Sequence, residues 1–270
     1  MSTLLPIALI TYKEGIRNKA FFGVSLVALL LLCAGALISI MVPQEMGKAA
    51  VDMALSVISF SGLLVVFFVG INLMAKDLDR RTIYMVLSRP ISRSQYIIGK
   101  FIGMLFLIVM TMLFVSLLAI ILLFLLKMGY PDRFERFSWS LVLLAAFLST
   151  LGLVLLSSLS ILFASFTSAS FVTSALTVVV YIIGQSLGDM KTLVETPQSF
   201  PVGISPFIVK LVQTVYYIFP NLSLFDIKMQ AAHNLSPSFS YIVWTALYGL
   251  FYTCVAITLA ALIFKKKEVP

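Results

Sequence analysis

The chain has 270 residues, of which 61% are hydrophobic and only 11% charged, and its formal net charge is +8. Soluble domains carry about 25% charged residues, and no soluble core of this length could hide so much apolar surface. These figures exclude a soluble enzyme and point to one membrane domain over residues 1–270, with no room for a separate catalytic domain.

In chain order, residues 1–20 come first. Pro6 suits a first helical turn. Leu5, Leu9, Tyr12 and Ile16 share one helical face, while Lys13, Glu14, Arg17 and Asn18 share the other. This predicts a basic amphipathic helix lying in the inner membrane interface, either as a topological anchor or as a docking element. Six apolar runs follow at Phe21–Val42, Met53–Ala75, Phe101–Leu126, Ser140–Ala164, Phe171–Leu187 and Tyr241–Phe264, and none contains Asp, Glu, Lys, Arg or His. At about 1.5 Å per residue, roughly 20 such residues cross a hydrocarbon core of about 30 Å. Spanning segments must satisfy their own backbone polar groups, so these are helices. The expected fold is an all-α polytopic membrane protein with six transmembrane helices.

The first run lacks signal-peptide character, because it continues past Ala34-Gly35-Ala36 and residues 1–20 precede it. Cys33 and Cys254 lie inside runs and read as packing residues. Ser140–Leu187 is 48 uncharged residues, too long for one crossing, and the small polar stretch 165–170 is where it is expected to turn. Ile204–Pro220 is apolar but short, bounded by Pro206 and Pro220 and interrupted by Lys210 and Gln213. A lysine near a helix centre costs about 2.5–3.5 kcal/mol on insertion. This segment therefore reads as an interfacial helix within an outer segment, 188–240.

Basic residues set the orientation. With the N-terminus inside, the inner segments 1–20, 76–100, 165–170 and 265–270 hold twelve Lys/Arg and four acids, and the outer segments hold seven of each. The inner side thus carries the entire net charge. A basic pI is explained by the positive-inside rule, and no nucleic-acid partner is implied. The expected location is the bacterial cytoplasmic membrane, multi-pass, with both termini cytoplasmic.

The loop 76–100 carries the most information. Helical spacing puts Leu78, Thr82, Val86 and Leu87 on one side and Asp77, Arg81, Tyr84 and Ser88 on the other, and Pro90 ends the pattern. A short cytoplasmic helix between spans two and three, apolar toward the bundle and charged toward a partner, accounts for this periodicity. At this loop the chain resembles the permease subunits of type-2 ABC transporters. Those subunits have an acidic-basic stretch, a Thr, apolar residues, a Leu-Ser-x-Pro-Ile-Ser-Arg-like element and a Gly-Lys at the next span. Here these are Asp77–Thr82, Leu87-Ser88-Arg89-Pro90-Ile91-Ser92-Arg93 and Gly99-Lys100. Phe219-Pro220-Asn221-Leu222-Ser223-Leu224-Phe225-Asp226 is similar to the branch named for multicopper-enzyme maturation, which includes the permease for nitrous-oxide-reductase assembly. Asp79 stands where the family often has Glu, and Arg81 replaces a common Gly.

The resemblance implies a half-transporter working in export, in which a second permease copy or a paralogue pairs with this chain and two cytoplasmic ABC ATPase subunits bind beneath. It assigns coupling to Asp77, Asp79, Arg80, Arg81, Thr82, Tyr84, Arg89, Pro90 and Arg93, together with Lys13, Glu14 and Arg17. ATP and Mg would be held by the partner, and no cofactor is expected in this chain. The residues agree that the chain is not the motor. Gly99-Lys100 has the last two letters of a phosphate loop, but Ser94 replaces the first glycine and no Ser or Thr follows. Uncharged spans argue against an ion-driven carrier, which needs ionisable groups at depth. His233 and Met229 sit four apart, a spacing that ordinary helix packing explains better than a soft-metal site. The pairs Gly99/Gly103 and Gly184/Gly188 are expected to permit close approach of another helix. The alternative function is a membrane scaffold or assembly factor that recruits an extracytoplasmic client without transport.

Overall fold

The computed structural model describes residues 4–70, 92–134, 137–167, 169–195 and 218–266, with isolated positions between 210 and 216. Among them there is no strand, and six helices are long and apolar enough to cross a membrane. The chain is thus an all-α, multi-pass membrane protein.

Helix α1 (Leu4–Arg17) and helix α2 (Lys19–Ile40) are separated by a single residue, Asn18. Its extended backbone breaks the helix, and its side chain accepts a hydrogen bond from the Ala20 amide at 3.0 Å. That is an N-cap, satisfying one of the donors a helix start leaves open. Helix α3 (Met46–Leu64) runs into a π-helical turn at Val65–Gly70. Helix α4 (Arg93–Gly129) opens with a capping box. The Ser92 hydroxyl accepts from the Gln95 amide, and the Gln95 side chain accepts from the Ser92 amide. At 37 residues α4 is about 55 Å long, well beyond the bilayer core, so the expected span 101–126 sits inside it with overhang at both ends.

Helix α5 (Trp139–Phe166) and helix α6 (Ser170–Glu195) are joined at the predicted place. Thr167 caps α5, and its hydroxyl meets that of Thr173 at 2.6 Å across the corner. A short helix, α7 (Lys228–Ala232), precedes the last span, α8 (Phe239–Lys266). Asn234, with φ 55°, ends α7 in the left-handed conformation, and the Leu235 amide closes back on the Gln230 carbonyl at 2.8 Å.

Helices α4 and α5 form the centre, with Leu107, Ile108, Met112, Leu148 and Leu155 buried between the elements around them. The outer surfaces of α2 and α8 stay apolar and exposed, as at Leu26, Leu30, Leu37, Trp244 and Phe251. Such faces are normal where lipid is the solvent. Span hydroxyls donate back to their own helix, as Ser61 does to the Val57 carbonyl and Thr111 to the Leu107 carbonyl, and so need no water.

Candidate functional site

Two regions carry what the sequence singled out, one at each end of the bundle. At the end bearing the chain termini, α1 packs along the first half of α4. Ile7 lies against Gly99, Ala8 and Thr11 against Gly103, and Gly15 against Leu107. The pairs keep step for eight residues, so the inclination of α1 is fixed by α4. A methyl group at Gly103 would come within 2.6 Å of both the Ala8 carbonyl oxygen and Thr11 Cβ. A helix forms over the amphipathic stretch Leu4–Arg17, and the face it packs on α4 is not its stripe of large apolar residues. Ile7, Ala8, Thr11 and Gly15 are buried, whereas Leu5 is 67% exposed and Leu9 is also open. Tyr12 and Ile16 sit at the boundary, Tyr12 making an edge-to-face contact with Phe106. Close approach of two helices selects small residues, which leaves the large apolar ones for lipid.

Lys13, Glu14 and Arg17 lie on the free side of α1, where with Ile10 and Asn18 they line a shallow concavity. Arg93 is the first residue of α4. Asp77, Asp79, Arg80, Arg81, Thr82, Tyr84, Arg89 and Pro90 lie outside the described residues, as do most of the expected interfacial helix 204–220 and the Lys267 end of the basic tail. Lys100, only 6% exposed, places its ammonium 5.9 Å from the centre of the Tyr96 ring. Tyr96 in turn stacks on Phe264, ring centres 6.0 Å apart. The start of α4 therefore ties together α1 and the end of α8.

At the opposite end, residues Phe219–Ile227 are not a surface loop. They form a plug wedged among α5, α6 and α8. Leu222 and Phe225 are buried. Phe225 lies between two glycines: a Cβ at Gly152 would meet it at 3.0 Å and one at Gly249 at 2.8 Å. A Cβ at Gly184 would meet the Pro220 carbonyl oxygen at 2.8 Å, and one at Gly188 would meet the Ser223 hydroxyl at 2.5 Å. The pair Gly184/Gly188 thus admits a segment that is irregular at Pro220–Leu222 and makes a single 3-10 turn at Ser223–Phe225, rather than a spanning helix.

Irregular backbone within a membrane domain must be given partners, and here it is. The Leu222 amide donates to the Gly184 carbonyl at 3.0 Å, the Asn221 amide to the Tyr248 hydroxyl at 2.8 Å, and the Tyr241 hydroxyl to the Leu224 carbonyl at 2.7 Å. Asn221 turns the chain by accepting from both the Ser223 amide and the Ser223 hydroxyl. The plug ends in an ion pair, Asp226 Oδ2 to Lys228 Nζ at 3.0 Å. These two charges face a cleft whose other walls include Ser59, Ser149, Tyr181 and Gln185, all from the interior of spans. Sequence reasoning took the spans to be free of charge and missed that a neighbouring segment brings charge to them. The signal was available in the glycines spaced along α5, α6 and α8 with no helix to explain them.

The fold is a membrane bundle with six helices long and apolar enough to cross, the fourth helix clamped by an amphipathic N-terminal helix and a folded segment preceding the last crossing. The chain belongs to the ABC-2 family: the family model described as "ABC-2 family transporter protein" matches residues 5–269. It is accordingly a permease component of an ABC transporter, a partner of ABC ATPase subunits and not itself the ATPase. No curated protein matches the chain.

Proposed function

We propose that this chain is an exporter permease of the bacterial cytoplasmic membrane, with both termini cytoplasmic, that pairs with a second permease and is driven by two separate ATPase subunits. The observation carrying this reading is the clamp of α1 on α4. Helix α4 begins at Arg93, where the charged segment 77–93 delivers the chain into the bundle, and its next two turns hold α1 through Gly99 and Gly103. Force applied by an ATPase to Asp77–Arg93, or to Lys13, Glu14 and Arg17, therefore arrives at one helix. That helix runs the full depth of the domain and packs on α5 and α8. Small shifts of packed helices are an established route from interface movement to a change of access.

In this scheme the charged groups Asp77, Asp79, Arg80, Arg81, Arg89 and Arg93, with the Tyr84 phenol, grip the ATPase, Thr82 and Pro90 shape the segment, and ATP with Mg stays in the partner. The whole chain acts as one permease domain. The Phe219–Asp226 sequence supports placement in the branch similar to multicopper-enzyme maturation permeases. The test is Asp79→Lys combined with Arg81→Glu, assayed in membranes that contain the ATPase. Transport is expected to fall at least tenfold, with membrane insertion and permease level unchanged. Retained transport would reject the coupling role.

A further inference from the structure

We propose that the junction of two cavities beside Lys228 is a binding site for the anionic head of a single-chain amphiphile, which enters sideways between α2 and α3. The first cavity is the cleft under the plug. At about 40 Å³ it has room for a few waters and no organic molecule. The second is a groove of about 430 Å³, within the roughly 300–1,000 Å³ typical of small-molecule sites. Its walls are mostly apolar, with Leu31, Ala34 and Ile38 from α2 and Met53, Phe60 and Leu63 from α3. From Met53 to Leu63 the wall rises about 15 Å, half of a hydrocarbon core of about 30 Å and so the length of one leaflet. That suits one acyl chain lying along the helices.

The polar end of the groove decides the head. Ser59, Leu63, Tyr181 and Lys228 line both cavities, whereas Asp226 and Gln185 line only the inner cleft. An amphiphile in the groove therefore meets an ammonium and two hydroxyls, with the carboxylate set behind them. The Ser59 hydroxyl points at Ser149 at 3.3 Å, a long contact that a better acceptor displaces. Lys228 keeps about a quarter of its side chain accessible, 23%, while bound to Asp226. A carboxylate or phosphate head gains a charge-assisted hydrogen bond from it in surroundings of low dielectric. An uncharged head of the same length can accept from the ammonium but brings no opposite charge to it, and gains less.

The permease reading gives this site its use, as a holding point for cargo, but binding requires no ATPase. The test uses the purified full-length chain in phosphatidylcholine nanodiscs without nucleotide. The probes are a diazirine-bearing palmitic acid and the matching hexadecanol, with labelled peptides mapped by mass spectrometry. The acid is expected to label 31–38 and 53–63 at concentrations at least tenfold below the alcohol. Lys228→Gln should remove that preference. Asp226→Asn, which keeps an oxygen to accept from the Lys228 amide as Asp226 Oδ1 does now, should raise affinity for the acid by freeing the ammonium. The double variant Asp226→Asn/Lys228→Gln, with no unpaired charge to destabilise the fold, should label equally with both probes. Equal labelling of the unaltered chain, labels confined to other segments, or a loss with Asp226→Asn as large as with Lys228→Gln would overturn the proposal. So would a groove closed by a second copy, seen as α2 cross-links that block labelling. Transport retained by Asp79→Lys/Arg81→Glu, with acid selectivity intact, would reject the coupling scheme and leave this site standing.

Discussion

The two ends of the bundle solve one problem, bringing a second segment close to a spanning helix, by different physics. At the terminus-bearing end, Ile7, Ala8, Thr11 and Gly15 meet Gly99, Gly103 and Leu107 helix to helix, with the backbone on both sides of the contact in α-helix. At the other end, Pro220–Asp226 enters as irregular chain, and each exposed amide or carbonyl needs a named partner such as Tyr241, Tyr248 or Gly184. The first arrangement transmits a push with few specific bonds to break. The second is locally over-determined and holds three helices in register.

The sharpest way to break that contrast is to empty the plug. Phe225 is 2% exposed, and Phe225→Ala removes the ring that fills the space between Gly152 and Gly249. The expected loss is about 3–5 kcal/mol, read as a fall in the unfolding midpoint of the detergent-solubilised chain. Leu5→Ala, on the exposed face of α1, should leave the midpoint unchanged. Next comes Gly103→Leu. Overpacking there costs about 1–3 kcal/mol locally, and α1 is expected to swing away while the bundle stays folded. Trypsin should then cut at Lys13 and Arg17 several-fold faster, with the main transition little moved; a global collapse would show that the two ends are not independent. Smaller still is Tyr248→Phe, which leaves the Asn221 amide without its acceptor. A buried unpaired amide costs about 1–3 kcal/mol, so the midpoint should fall by less than for Phe225→Ala.

The smallest effect is expected at Glu45. Its carboxyl is held below the ordinary range by the hydrogen bond and charge of Lys48, 2.7 Å away. A lowered folded-state pKa stabilises above the carboxylate's ordinary value and fades as pH falls through the lowered one. Because both side chains are exposed, Glu45→Gln should show no measurable change in stability between neutral pH and pH 4.

Much of this architecture was readable beforehand, for one reason: lipid is an unforgiving solvent. Charge cannot be spread along a span, so the six uncharged runs marked the helices, and the small polar stretch near Thr167 marked the corner between α5 and α6. The same logic found Gly99/Gly103 as a seat for another segment. What could not be read was which segment sits there. Leu5, Leu9, Tyr12 and Ile16 form the obvious apolar stripe of α1, which an interfacial helix turns toward lipid. Here the stripe is largely left for lipid, and the unobtrusive face Ala8-Thr11-Gly15 does the packing. The plug was hidden for a related reason. Asp226 and Lys228 flag a surface loop by composition, and only the third dimension shows them closing over Ser59, Ser149 and Tyr181. Of the residues assigned to coupling, Lys13, Glu14, Arg17 and Arg93 can be placed on elements that meet at α4; the loop residues Asp77–Pro90 lie outside the described residues.

The central claim is that this polypeptide moves and a different one burns ATP. Photolabelling with azido-ATP, on the purified chain alone and on the complex captured in mild detergent, tests it most directly. The account predicts label on a co-purifying ATPase and none on this chain in either sample, with hydrolysis only in the complex. Nucleotide attached to this chain in the absence of any companion, or hydrolysis by it alone, would contradict it.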